Sequence, residues 1–147
     1  MSFVEPHDEF LEHMKRLGLD LRSYEEKGLV HYMEALTVVD EEALIAQLEE
    51  MAQFVEEHGI RRLVVNSVTV ILQMVGDKTR AREFMQNFFV NAMKKLGVVT
   101  LLIAEHPYGA KTVGYGVKEF VVDAVIVLRL TTLRGKAYRI MELRKAR

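Results

Sequence analysis

Asn66 and Ser67 follow directly on the apolar run Leu63-Val64-Val65. A continuous run of that kind is expected to be a strand covered on both faces, as in parallel α/β sheets, and such sheets hold ligands at the carboxyl ends of their strands. The amide of Asn66 can donate and accept hydrogen bonds there, but it brings no negative charge to a metal ion. Glu105 closes a second run at 98–104, apolar except for Thr100, and Glu5 ends a short strand-like stretch at 2–4. By the same rule these four residues, Glu5, Asn66, Ser67 and Glu105, stand at strand ends, where a ligand could bind. Polar residues that only cap buried strands would give the same pattern. Ser67 lacks the GxSxG setting of an activated nucleophile. Glu9 and His13 lie four residues apart, as on one helical face, but no HExxH or comparable spacing occurs, so no metal site is assigned.

The elements that must position these residues can be read from periodicity. Phe10, Leu11, Met14 and Leu17 fall at helical spacing over 8–17, with Gly18 as a stop. A loop then leads past Lys27-Gly28 to a short expected strand at 29–33. Asp40 is an N-cap for a helix reaching His58, with Leu44, Leu48, Met51 and Val55 on its buried stripe. A strand follows at 62–65. Between Gly76 and Gly97 a further helix puts Phe84, Phe88, Ala92 and Leu96 on one face. Strands at 98–104 and 121–130 come next, and a turn at Arg134-Gly135 leads to an antiparallel partner at 137–144. Strand and helix therefore alternate until a terminal hairpin, within one expected domain over 1–147.

Composition narrows the classes. The 147 residues are 50% apolar, with no cysteine, which excludes disulfides, thiolate catalysis and Cys-based zinc sites. Twenty basic against 21 acidic residues leave a net charge of −1, against a broad nucleic-acid-binding surface. No apolar run approaches the roughly 20 residues that span a bilayer, and residues 1–30 carry no signal-peptide pattern, so a cytoplasmic protein without a membrane partner is expected.

The segments RRLVVNSVTV at 61–70 and YGVKEFVVDAVIVLR at 115–129, with SFVEP at 2–6, GLDL at 18–21, Arg82-Glu83 and the final Leu143-Arg144, resemble in order the KaiC-like ATPases of the RecA superfamily. The resemblance implies an α/β, RecA-like (P-loop NTPase-type) fold, with a mostly parallel sheet flanked by helices and a C-terminal antiparallel hairpin. It also implies what has changed. The family's glycine-rich phosphate loop, GxxxxGK[ST], precedes the part represented here and occurs nowhere in residues 1–147. Its Mg²⁺-nucleotide aspartate is Asn66, and the first of its paired glutamates is Val4, leaving Glu5. Its Lys-hydrophobic-Arg element, which reaches a neighbouring subunit's triphosphate, has become Glu142-Leu143-Arg144. Arginines so placed can be worth roughly 10³ to 10⁵ in rate, and a carboxylate beside a triphosphate repels it.

The resemblance thus implies a truncated, degenerate domain lacking the P-loop strand. It takes no cofactor alone, and ATP with magnesium only if the phosphate loop is supplied from upstream or by a partner. Arg144 is the candidate contact in trans, although a basic end is also an ordinary solvated tail. The loop at 107–118 corresponds to the channel loop of RecA-type rings. There Lys111 and Lys118, with Tyr108 and Tyr115, would supply charge and stacking for single-stranded nucleic acid, and a solvated loop accounts for the same residues. The absent strand would lie between those at 98–104 and 121–130. Its removal leaves unpaired edges, which are expected to close together or to be covered by another chain, either a second copy or an intact KaiC-like paralogue.

Overall fold

The computed structural model describes residues 1–35, 40–105 and 121–146. Its helices are α1 (His7–Arg16), α2 (Arg22–Glu25), α3 (Glu41–Glu57), α4 (Val68–Val75), α5 (Lys78–Met85) and α6 (Met93–Lys95), with a π-helical stretch at Gln86–Ala92 joining the last two. Its strands are β1 (Arg62–Asn66), β2 (Val99–Ile103), β3 (Ala124–Leu133) and β4 (Lys136–Ala146).

β1 and β2 pair in parallel, from Arg62 opposite Val99 to Asn66 opposite Ile103. Residues 1–3 lie along the other edge of β1, where Asn66 N–H donates to the Met1 carbonyl at 3.0 Å and Phe3 N–H to the Asn66 carbonyl at 2.6 Å. Residues 33–35 lie outside them, tied by Ser2 N–H to the Met33 carbonyl at 2.9 Å and Ala35 N–H to the Ser2 carbonyl at 2.8 Å. Both of these contacts run parallel. The strand expected at 29–33 therefore begins later than its apolar residues suggest. Leu29 N–H is already spent on the Tyr24 carbonyl, closing the turn that follows α2.

α3 forms as its sequence dictates. Asp40 Oδ1 accepts from Ala43 N–H at 2.8 Å, and Leu44, Leu48, Met51 and Val55 are all buried. These pack with Leu63 and Val65 of β1 and with Val68, Ile71, Leu72 and Val75 of α4. The long helix past Gly76 turns its deepest row one position away from the expected one: Ala81, Met85, Phe89 and Met93 are buried, while Phe84, Phe88, Ala92 and Leu96 flank the core. Both rows are apolar, and the i→i+5 bonding of the π-helical stretch widens the turn enough for both to touch the core.

The expectation of strands covered on both faces is met on one face only. Leu63 and Val65 are sealed, but Val64, Val99, Leu101 and Ile103 point to a face that no described residue covers, and Val99 is 74% exposed. β3 and β4 form a separate antiparallel hairpin, reversed at Arg134-Gly135, where both residues have the positive φ of a tight hairpin turn. β3 starts at Ala124 rather than 121. Among the described residues, its second edge and that of β2 do not pair with each other. Among the described residues no helix is long and apolar enough to cross a membrane.

Candidate functional site

The parallel register puts Asn66 and Ile103 side by side at the carboxyl ends of β1 and β2. Asn66 is the last residue of its strand and Ser67 the residue before α4, joined by a cis peptide. Ser67 is 1% exposed, and its hydroxyl has no hydrogen-bond partner among the described residues. It therefore stands at the N-cap position of α4 without capping it. Thr69, in the first turn of α4, accepts from Glu105 N–H at 3.0 Å. That bond draws Glu105, two residues past the end of β2, against the first turn of α4, at the same end of the sheet as Asn66 and Ser67. Three of the four expected edge residues are thus assembled by one strand pair and one helix start.

Glu5 is the fourth. Ser2 Oγ accepts from Val4 N–H at 3.3 Å and Glu5 N–H at 3.2 Å, a local turn that ends the edge segment. The Glu5 carboxylate is engaged by His13 Nδ1 of α1, and its carbonyl accepts from the Tyr32 hydroxyl at 2.5 Å. Burial raises the Tyr32 hydroxyl above its usual pKa, a hydrogen bond with Ser2 opposes this, and the charges of Glu5 and Glu34 add to the rise. Glu5 is therefore held on the α1 side, in a network that also contains the His7–Glu25 pair at 2.8 Å. The two histidines have separate carboxylate partners, and no group of three or more His, Asp or Glu among the described residues is arranged to hold a metal ion.

Arg144 lies elsewhere. It is the extra residue of a bulge in the β3–β4 ladder, between the pairs Val125–Lys145 and Ile126–Leu143. Lys94, just before β2, meets Asp123, just before β3, at 2.8 Å, so both strands start at the same end. Arg144, near the start of β3, is then at the opposite end from Asn66 and Glu105. Its Nε donates to Glu142 Oε1 at 3.0 Å, and the other carboxylate oxygen is taken by Arg129. Glu142 is thus bracketed by two guanidinium groups. Sequence reasoning marks Glu142 as a departure but misses Arg129, whose signal is the hairpin register: Arg129 and Glu142 are diagonal neighbours on one face. It also gives Thr69 no role in the site, although Thr69 lies within the RRLVVNSVTV segment that carries the resemblance. Lys111 and Lys118 lie outside the described residues.

A family model described as "ATPase: KaiC" matches residues 1–147. The circadian clock protein KaiC3 of Synechocystis is 25% identical over 156 aligned positions, covering 100% of this chain and 30% of that protein. The circadian clock oscillator protein KaiC of Synechococcus elongatus is 26% identical over 155, again covering 100% of this chain and 30% of the relative. This chain therefore spans about 30% of the length of these relatives. Among solved structures, a KaiC-like protein from the hyperthermophilic archaeon Pyrococcus horikoshii superposes with a TM-score of 0.78 at 25% identity, over 97% of this chain and 63% of its own. With the parallel strands, the strand-end polar residues and the terminal hairpin all in the expected order, the chain belongs to the KaiC family of ATPase domains and carries a RecA-like α/β fold.

Proposed function

We propose that these residues form a degenerate KaiC-like ATPase domain, one that does not hydrolyse ATP alone and serves in the cytoplasm as an interaction or regulatory module. The observation that carries this reading is Asn66 at the carboxyl end of β1, where the family resemblance implies an aspartate. An amide, a buried hydroxyl and one exposed carboxylate do not make the donor set of a magnesium–triphosphate site, since Mg²⁺ is ordinarily held through carboxylates together with substrate phosphates. Two further features support it. The Glu5 carboxylate is occupied by His13, and Glu142 neutralises the arginine that would reach a neighbour. The test is phosphate release by the purified chain with Mg-ATP. No turnover above background is expected, and reproducible release would refute the reading.

A second reading is favoured by one observation, the 63% share of the Pyrococcus protein that this chain covers. In that reading the residues are the C-terminal part of an active ATPase whose phosphate loop comes from an upstream segment or a partner chain. ATP hydrolysis that appears only on mixing with a phosphate-loop-bearing paralogue would favour it. On either reading the domain works through association, with a second copy or with a KaiC-like paralogue.

A further inference from the structure

At the end of the sheet opposite Asn66 and Glu105, the rings of His31, Phe54 and His58 pack against one another. Residues 33–35 run parallel to residues 1–3 and to β1, and His31 precedes them, while His58 lies between α3 and β1. Both histidines therefore sit where these strands begin, and both are exposed. We infer that His31 and His58 form a site for one divalent ion of the Zn²⁺, Ni²⁺ or Cu²⁺ class, held by two imidazole nitrogens with its remaining positions open. The inference goes beyond the reading of the domain as a non-hydrolysing module and does not depend on it.

Backbone and ring contacts set up the ligand atoms. His58 Nδ1 lies 3.0 Å from the Phe54 carbonyl, one helical turn back. A carbonyl only accepts, so Nδ1 carries the proton and the neutral ring keeps its lone pair on Nε2. Metal-ligating histidines are ordinarily held in this way, with the other ring nitrogen bonded to a backbone carbonyl or a carboxylate. The Phe54 ring stacks on His58 at 3.9 Å between centres and 16° between planes, which fixes the rotation of the imidazole. His31 stands edge-on to both rings, 5.3 Å from Phe54 and 5.5 Å from His58. Neither His58 Nε2 nor either ring nitrogen of His31 has a hydrogen-bond partner among the described residues.

The spacing suits a single ion. With metal–nitrogen bonds of about 2.0–2.1 Å and a tetrahedral angle, two imidazole centres stand about 5 Å apart. The 5.5 Å found here is close to that, and His31 has no hydrogen bond that opposes turning a nitrogen to the ion. The charge environment agrees. His58 is the C-cap of α3, a helix of 17 residues that ends in Glu56 and Glu57 and has no basic residue in its last turn. α1, by contrast, closes with Lys15 and Arg16. The negative end of the α3 dipole is thus left to a cation from outside. Imidazole donors select zinc, nickel or copper over magnesium and calcium, which take oxygen ligands.

The test is calorimetric titration of the purified chain with ZnCl₂ at neutral pH, where one equivalent is expected to bind. His31→Gln and His58→Gln should each weaken uptake by at least about tenfold, a loss typical even of groups that only support a ligand. The double variant His7→Gln, His13→Gln should bind as the parent does, since those rings are engaged by Glu25 and Glu5. A large excess of MgCl₂ should not compete. Electron paramagnetic resonance of the parent chain with one equivalent of Cu²⁺ needs no variant to fold, and splitting from two nitrogen ligands is expected. The inference is overturned by no uptake of zinc, by uptake undiminished in His31→Gln or His58→Gln, by loss in the His7, His13 variant, or by a copper spectrum with fewer than two nitrogens. The three rings would then be packing alone. Phosphate release has no part in these readouts, so they stand apart from the Mg-ATP test.

Discussion

The first hundred residues and the terminal hairpin both carry apolar residues on their strands and end in opposite states. Around β1, α3, α4 and the long helix seal a core in which Leu44, Val65, Val68, Ile71 and Met93 are fully buried. Along the hairpin, Val125 and Val127 are buried, while Ile126, Leu128, Leu130, Met141 and Leu143 share an open face, with Leu128 at 74% exposure. The hairpin strands are long, 10 and 11 residues, with a continuous ladder broken by one bulge. Hydrogen bonds hold its shape and apolar burial contributes little. Whether an apolar residue stabilises the domain is therefore decided by the layer opposite it and not by the strand that carries it.

The largest expected effect breaks this comparison if it fails. Leu48→Ala, at a site with no solvent exposure, should lower unfolding stability by about 2 to 5 kcal/mol, the range for emptying a packed aliphatic site. Leu128→Ala should stay within about 0.5 kcal/mol. Urea midpoints of the two variants decide it, and equal losses would mean that the open face of the hairpin is covered in solution.

Asp40→Ala sharpens the same contrast on the core side. Its carboxylate caps α3, which supplies four of the buried core residues, so a loss of about 1 kcal/mol is expected. An unchanged midpoint would show that packing alone sets the start of the helix.

Much of this was legible in the sequence because the relevant signals are local. The stripe Leu44, Leu48, Met51, Val55 follows an amphipathic helix with its own cap, and the Arg134-Gly135 turn follows from positive-φ chemistry. α4 left no comparable sign. Its apolar residues run nearly all round, so periodicity separates helix from strand poorly there, and only Ser67 before it and Gly76 after it mark the ends. The edge site was half legible. Strand ends predict that Asn66, Ser67 and Glu105 meet, but the capture of Glu5 by His13 depends on how α1 packs, which no spacing within the sequence reveals. The open face of β1 and β2 was misread for a related reason: an apolar run signals the need for a cover without saying which chain provides it.

Tyr32 ties this edge segment to the body of the domain, and its effect is expected to be smaller and dependent on pH. Removing its bond to the Glu5 carbonyl in Tyr32→Phe should cost about 1 kcal/mol near neutrality. The folded state raises the pKa of the hydroxyl above the unfolded value of about 10. Its contribution is therefore fully present below that pH and is lost as pH rises through the raised value, because only the unfolded chain then releases the proton readily. Stability should fall less steeply above pH 10 in the variant than in the parent. Parallel curves would mean that Tyr32 ionises equally in both states.

The smallest effect belongs to the hairpin, where Glu142 sits between Arg129 and Arg144. All three side chains are partly in water, so solvent screens their attraction and ordering them costs side-chain entropy. Glu142→Gln keeps the shape and removes the charge, leaving two guanidinium groups facing one another. The expected loss is at most about 1 kcal/mol at low salt. At 1 M NaCl it should shrink towards zero, because the screening length falls to about 3 Å and like-charge repulsion between the arginines fades with the attraction. A salt-independent loss of several kcal/mol would place these charges out of water, and would mean that something covers the hairpin at Glu142. The stability of this one ion pair in salt thus reports on the same question as the apolar face, through charge instead of burial.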